Sequence, residues 1–397
     1  MKPTTQAILD SFARTSEEVY ALDELRERLD SGRPLKVKYG VDVTAPFLHI
    51  GHAVNLWMFR ELQEHGHIIQ FLIGDFTTRI GDPTGRSKVR PVISQEEIEA
   101  NAQEFIRQVS MVLLTDPKVF EVRRNSDWFD KMGTAEFLRL LAMVTHSKLI
   151  AREMFQRRLS QNEEIYMHEM LYPVLQGYDS AMLQSDLTIV GTDQLFNELM
   201  GRFFQEKFGQ PPQVVMTTRI TPGIDGIEKQ SKSLGNYIAL GHSPRDKYGR
   251  VMSIPDSLLL SYFEVYTKVS LEELQPLRAA QISEPMNWKH RLASEIVARY
   301  HGRETADAER EWFVHTFSKK QAPADAPLVV LTGPTTWLEL VKKQLPEHST
   351  SDLRRLFQQG AVRMDSVKIS NPNEKVAVQG EATVKVGKLT WFRVKAG

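Results

Sequence analysis

The stretch from Leu35 to Ile73 constrains the fold more than any other part of this 397-residue chain. Leu35-Lys36-Val37-Lys38-Tyr39-Gly40 alternates with period two and reads as a strand. Pro46 breaks the following loop, and from about Leu48 to His65 apolar residues recur at helical spacing until Gly66. Ile68 to Ile73 is a second apolar strand, so the segment is β-loop-α-β, the opening of a parallel, doubly wound α/β sheet of Rossmann type. At the mouth of its helix stands His49-Ile50-Gly51-His52. A helix N-terminus carries unpaired N–H groups and a positive dipole end, so two imidazoles there suit an anionic ligand. On its own an H-x-x-H pair reads first as surface or capping histidines. A metal pair is disfavoured because no third ligand stands at supporting spacing.

Other elements follow. Residues 1–30 read as polar and helix-like without the apolar core of a secretory signal, and no apolar run reaches membrane-spanning length. Cysteine is absent, which removes disulfides and thiolate chemistry; the expected compartment is the cytoplasm. Glu96 to Leu114 and Thr134 to Leu159 are expected helices, and Leu187 to Val190 and Gln213 to Met216 expected strands. After Tyr237 the periodicity is helical to about Phe317, and Gln321 to Pro327 has linker composition. Two short helices, Thr336 to Gln344 and Ser351 to Gln359, precede expected strands at Val362 to Ile369, Lys375 to Val378, Thr383 to Val386 and Thr390 to Val394. The expected division is a catalytic domain over 1–228, a lysine loop with a helical domain over 229–320, a linker over 321–332, and a small α+β domain over 333–397.

Net charge is zero, yet from Gly333 onward eleven Lys and Arg stand against six Asp and Glu. A basic module on a mildly acidic body suits a polyanion met locally. Lys342, Lys343, Arg354, Arg355 and Arg363 are its candidate phosphate contacts, with a solvated face as the alternative.

Three further groups carry chemistry. Lys229-Gln230-Ser231-Lys232-Ser233 is a polar loop whose ammonium groups could cover a triphosphate, or simply be a charged turn. Tyr172, Gln176 and Asp179, spaced i, i+4, i+7, form a polar stripe on an apolar helix that Pro173 is expected to open; the bland reading is a solvent-facing stripe. Asp82, Asp193 and Gln194 follow strand ends, where open α/β sheets bind ligands.

Gly40-Val41-Asp42-Val43-Thr44-Ala45-Pro46-Phe47-Leu48-His49-Ile50-Gly51-His52 resembles the first signature of bacterial tyrosyl-tRNA synthetases. So do Gly81-Asp82-Pro83-Thr84-Gly85, the Tyr172/Gln176/Asp179 stripe, Gly191-Thr192-Asp193-Gln194 and the lysine loop, in the family's order; the basic tail resembles an S4-type RNA-binding domain. The resemblance covers essentially the whole chain. It implies a homodimer with a helical dimer-interface insertion, and tyrosine, ATP with Mg²⁺ and tRNA(Tyr) as substrates, with no resident metal and no membrane. It implies that Asp179 binds the substrate phenol, that Asp82, Tyr172 and Gln176 hold its ammonium group, and that Asp42 and Gln194 belong to the same pocket. Thr44, His49, His52, Lys229 and Lys232 would stabilise phosphates, Asp193 would hold ribose, and Gly51, Gly191 and Ser231 would complete the ATP site. Departures from the family's pattern are Lys38 where a second phenol-binding Tyr is frequent, Val190 and Thr78 for Gly, Val43 for Pro, Asn55 for Thr, and Gln230 for Met in the lysine motif. A tryptophanyl relative, a paralogue activating a modified aromatic amino acid, and an RNA-binding protein on an inactive scaffold are the alternatives.

Overall fold

A computed structural model describes residues 2–44, 47–82, 93–231, 233–279, 283–318, 326–365, 367–378, 380–387 and 390–397. It divides into two compact units, Met1–Ala306 and Asp307–Gly397. In the first, six strands form one sheet: β1 (Ser16–Tyr20), β2 (Lys36–Val41), β3 (Ile68–Ile73), β4 (Phe120–Arg124), β5 (Leu187–Gly191) and β6 (Val214–Thr218). Their order is β1-β6-β5-β2-β3-β4. All pairings are parallel except that of β1 with β6. The chain order reverses between β2 and β5, which places the switch point of a doubly wound sheet there. β3 and β6 are buried almost throughout, as strands covered on both faces must be, whereas edge strand β1 is polar and largely uncovered.

Several local expectations need correction. The N-terminal segment is not one helical stretch: β1 separates helices Pro3–Ala13 and Leu22–Ser31. Thr134 to Leu159 forms three helices, Thr134–Ala142, His146–Ile150 and Glu153–Ser160; the Thr145 hydroxyl accepts from the Lys148 amide and starts the second. Pro173 does not open its helix, which runs Met167–Leu183 with the proline inside. The Tyr166 amide donates to Glu169 Oε2 at 2.9 Å and fixes the start one and a half turns earlier.

Helix Met167–Leu183 packs along helix Leu195–Lys207, and both close approaches are at glycines. A Cβ on Gly177 would lie 2.9 Å from the Met200 backbone, and one on Gly201 would lie 2.5 Å from Ser180 Oγ. The pair thereby brings polar side chains of both helices within hydrogen-bonding range next to the ends of β2 and β5.

In the second unit the strands β7 (Leu328–Leu331), β8 (Val362–Met364), β9 (Val367–Lys368), β10 (Glu381–Val386) and β11 (Thr390–Ala396) lie in the order β7-β11-β10-β8-β9. β7 was not legible in the sequence. Val362 to Ile369 is a hairpin, not one strand, and Lys375 to Val378 contributes only a bridge from Lys375 to Thr336. Helices Trp337–Gln344 and Thr350–Gln358, capped by Thr336 and Ser349, cover the sheet through Trp337, Leu340, Leu353 and Phe357. No helix among the described residues is long and apolar enough to cross a membrane.

Gly177→Ala tests the helix pair. Alanine's better helix propensity stabilises by about 1 kcal/mol, whereas forcing a methyl into a packed contact costs roughly 1–3 kcal/mol. The expected net result is a lower thermal midpoint and weaker binding at the neighbouring pocket; a raised midpoint would mean the contact is looser than described.

Candidate active site

Two adjoining cavities open at the C-terminal ends of β2 and β5. The larger, about 540 Å³, is lined by Thr44, His49, Gly51, His52, Gly191, Asp193, Gln194 and Lys229, among others. The smaller, about 370 Å³, is lined by Lys38, Asp42, Asp82, Tyr172, Gln176 and Asp179, among others. Gly40, Val41, Asp42, Thr44, His52, Val190 and Gln194 border both, so the two cavities share a wall and form one crevice.

His49 is the N-cap of helix Ile50–Glu64, so the capping reading of the pair is right in form. It is not the whole of their role, because both rings border the larger cavity. The Gly51 amide donates to His49 Nδ1 at 3.2 Å, and the His49 amide donates to His52 Nδ1 at 3.3 Å. Each Nδ1 is therefore an acceptor, and each proton sits on Nε2. The rings stack with centroids 3.8 Å apart. Burial, then His52 and Lys229, pushes His49 down to about 2; burial and Lys229 push His52 down to about 4. Both are neutral Nε2–H donors at physiological pH. Gly51 is needed for this arrangement, since a Cβ there would sit 2.9 Å from His49 Nδ1.

The lysine loop is anchored to the same place. The Ile50 amide donates to the Ile238 carbonyl at 2.9 Å and the Leu240 amide to Leu48 at 3.0 Å. Gln230, expected as part of an exposed polar turn, is buried; its Nε2 donates to Tyr266 Oη and its Oε1 accepts from the Ile238 amide. The Ser231 amide donates to Asn236 Oδ1, and Lys229 is exposed on the cavity rim. Lys232 and residues 83–85 of the Gly81–Gly85 signature lie outside the described residues.

In the smaller cavity the Tyr172/Gln176/Asp179 stripe faces inward, contrary to the solvent-facing alternative. Asp179 is 3% exposed, and its carboxyl accepts from Trp128 Nε1 at 2.9 Å and Asn125 Nδ2 at 3.3 Å. Burial pushes it up to about 8, with the Lys38 ammonium pulling the other way. Tyr172 Oη donates to Asp42 Oδ2 at 3.0 Å, and Thr77 Oγ1 donates to Asp42 Oδ1 at 2.8 Å. Burial, reinforced by Asp42, holds the Tyr172 phenol well above its ordinary range, so it remains a donor. Gln194 Nε2 donates to Asp82 Oδ2 at 2.7 Å, and Arg152 lies 4.0 Å from Asp82. Tyr39 packs against Phe59 and Phe71, whereas Lys38 points into the pocket, as alternation along β2 requires. Sequence reasoning missed Trp128, Asn125, Arg152 and Glu198, because nothing local marks which residues of other elements will meet a pocket. Among the described residues no group of three or more His, Cys, Asp or Glu is arranged to hold a metal ion.

In the second unit the proposed phosphate contacts divide. Lys342 donates to the Pro346 and His348 carbonyls and Arg355 pairs with Asp352, while Lys343, Arg354 and Arg363 are exposed. The hairpin adds cations not singled out from sequence: Arg363 stands opposite Lys368 on one side and Lys385 on the other, and Lys385 opposite Trp391. Cross-strand neighbours share a face, so three cations and an indole line up on the side away from the core.

Known proteins resemble this chain over most of its length. Residues 30–318 match the family model described as tRNA synthetases class I (W and Y). A tyrosine–tRNA ligase of Moorella thermoacetica is 45% identical, the match covering 94% of this chain and 90% of the relative. One of Aquifex aeolicus is 41% identical over 96% of each. A C-terminally truncated mitochondrial tyrosyl-tRNA synthetase of Aspergillus nidulans superposes with a TM-score of 0.65 at 22% identity, covering 80% of this chain and 95% of that one. An Archaeoglobus fulgidus tyrosyl-tRNA synthetase complexed with L-tyrosine gives 0.60 at 20%, covering 77% and 99%; at these identities the likeness is one of fold. Taken with the histidine pair and Lys229 meeting at a doubly wound switch point, these matches show that the chain belongs to the class I tRNA synthetases of the W and Y group.

Proposed function

We propose that this protein is a tyrosine–tRNA ligase working through the two-part crevice. The observation that carries the reading is the shared wall: a cavity edged by imidazole N–H donors and Lys229 adjoins one ending in the buried Asp179 carboxyl. A tyrosine carboxylate oxygen attacks the α-phosphorus of ATP, its bond to the pyrophosphate oxygen breaks, and pyrophosphate leaves with the Mg²⁺ that the nucleotide brought. A terminal ribose hydroxyl of tRNA(Tyr) then attacks the acyl carbon and AMP departs. No side chain acts as nucleophile; the protein positions groups and stabilises charge.

In this scheme Asp179 reads the phenol hydroxyl, and Asp82, Gln176 and Tyr172 hold the ammonium end, with Asp42 fixing Tyr172. Thr44, His49, His52, Lys229 and Lys232 meet the phosphates, Asp193 meets the ribose, and Gly51, Gly191 and Ser231 complete the nucleotide site. Exposed Leu138, Leu159, Tyr166 and Met167 on and beside the 134–160 helices support a homodimer interface there. Residues 333–397 are assigned to tRNA, with Lys342, Lys343, Arg354, Arg355 and Arg363 near its backbone. The cytoplasm is the compartment where all three substrates meet.

Tyrosine-dependent ATP–pyrophosphate exchange, measured across the standard amino acids and 3-substituted tyrosines, tests the reading. Exchange with tyrosine alone is expected. Exchange only with a 3-substituted tyrosine would assign the enzyme to a modified substrate, and none at all would leave an RNA-binding protein. Asp179→Ala removes a buried partner of the phenol and should lower kcat/KM for tyrosine by roughly 10²-fold or more, leaving tRNA retention intact; unchanged exchange would remove Asp179 from the pocket.

The histidine tautomers give a second check. Nitrogen-15 imidazole spectra should show His49 and His52 neutral and Nε2-protonated at pH 7.5 and still so at pH 5.5. The sign for stability follows: unfolded imidazoles take up protons near their ordinary value while the folded pair resists, so these residues favour unfolding as pH falls from 6.5 towards about 4. A folded-state titration near 6.5 would contradict the donor assignment.

On the RNA side, Arg363→Ala combined with Lys368→Ala should weaken tRNA binding and reduce the slope of log affinity against log salt by about 1 to 2. An unchanged slope would place the phosphates elsewhere.

A further inference from the structure

Beneath the smaller cavity lies an ion pair that the proposed chemistry does not use. Lys38 Nζ is 2.7 Å from Glu198 Oε2 and donates to Ser180 Oγ at 2.7 Å, and both charged side chains are 2% exposed. Glu198 Oε2 also accepts from Gln213 Nε2 at 2.9 Å, and its Oε1 accepts from Gln176 Nε2 at 2.8 Å. Three donors thus converge on one carboxylate, a group with no proton to give in return.

The consequence runs along the helix pair. Because Gln176 must turn its NH₂ to Glu198, its carbonyl oxygen faces the other way and accepts from Asn197 Nδ2 at 2.8 Å. Asn197 Nδ2 also donates to Gln194 Oε1 at 3.0 Å, and Gln194 in turn donates to Asp82 Oδ2. The chain of amides has an acceptor-only carboxylate at each end, so every amide has one permitted orientation. Reversing Gln176 would set NH₂ against NH₂ at Asn197, and reversing Asn197 would set oxygen against two oxygens.

We infer that the buried Lys38–Glu198 pair is a positioning device that fixes the Gln176 amide with its oxygen, not its nitrogen, available to a substrate ammonium group. The inference deepens the reading of this pocket as a tyrosine site and rests on it. Lys38 and Glu198 are positioning residues: they act through Gln176. Where the family frequently has a phenol-binding tyrosine, this chain therefore carries a control over the opposite end of the amino acid.

Glu198→Gln is the discriminating change. A glutamine has one oxygen for three converging donors; with that oxygen on Lys38 and Gln213, its NH₂ meets Gln176 and turns that amide over, presenting NH₂ to an ammonium. Affinities of three ligands are compared by calorimetry: tyrosine, tyramine (ammonium kept, carboxylate absent) and 3-(4-hydroxyphenyl)propionate (ammonium absent). Losing a charge-assisted hydrogen bond should weaken tyrosine and tyramine by about tenfold or more. The propionate and ATP should stay within about twofold, as expected of groups that never met the reversed amide. Lys38→Met combined with Glu198→Leu frees the Gln176 NH₂ while Asn197 Nδ2 still holds its oxygen, so tyrosine and tyramine should weaken less than in Glu198→Gln. The effect is read as their ratio to the propionate, because loss of Lys38 beside Asp179 acts on all three phenols alike; the double variant also carries the test if the single variant does not fold. Equal weakening of all three ligands, or tyrosine binding within twofold of the parent, would overturn the inference. Absence of tyrosine binding by the parent protein would instead overturn the pocket's assignment.

Discussion

The closeness of helices Met167–Leu183 and Leu195–Lys207 is the constraint on which the site depends. Gly177 and Gly201 remove the side chains that would hold the helices apart. At that separation Gln176, Ser180, Asn197, Glu198 and Gln213 reach one another and Lys38, so these buried polar groups find partners, Asn197 Oδ1 excepted. Buried polar groups are costly without such partners, and a network whose NH₂ groups all have acceptors restricts the arrangement of its members. Rigidity at the pocket floor thus follows from packing a few residues away.

The sheet supplies the second element. Its strand order reverses between β2 and β5, leaving a crevice at their C-terminal ends. Helix Ile50–Glu64 brings the histidines to one side of it, and the Leu48–Leu240 and Ile50–Ile238 backbone bonds tie the lysine loop to the same rim. In the larger cavity the neutral imidazole donors and the Lys229 ammonium, suited to phosphate oxygens, stand with Asp42 and Asp193. The smaller cavity gathers Asp42, Asp82, Asp179 and Glu198, with Glu198 paired to Lys38 and Asp179 pushed up by burial.

Much of this was legible in the sequence because it is local. The β-loop-α-β periodicity, the two short helices after residue 335, and the strand at Ile68–Ile73 each depend on neighbours in the chain. Pro173 misled because a proline is tolerated within a helix whose start is fixed by Glu169, and Thr134 to Leu159 misled because apolar spacing continues across the breaks that Thr145 and Arg152 introduce. Lys38 was visible as a departure, but its meaning was not. Its partner Glu198 is 160 residues away, and only the sheet and helix pair bring the two together. The hairpin at Val362–Lys368 was hidden for a related reason, since alternation does not reveal where a strand folds back.

The central claim is that the two cavities act as one site, divided in chemistry but continuous in space. It is tested most directly by titration calorimetry with a non-hydrolysable tyrosyl-sulfamoyl-adenosine, compared with tyrosine and with ATP alone. If one rigid crevice holds both halves, linking them makes the second contact intramolecular, and the joined ligand should bind at least about 10³-fold more tightly than either half. Affinity no better than that of the stronger half would show that the cavities are not engaged together, and would contradict the account.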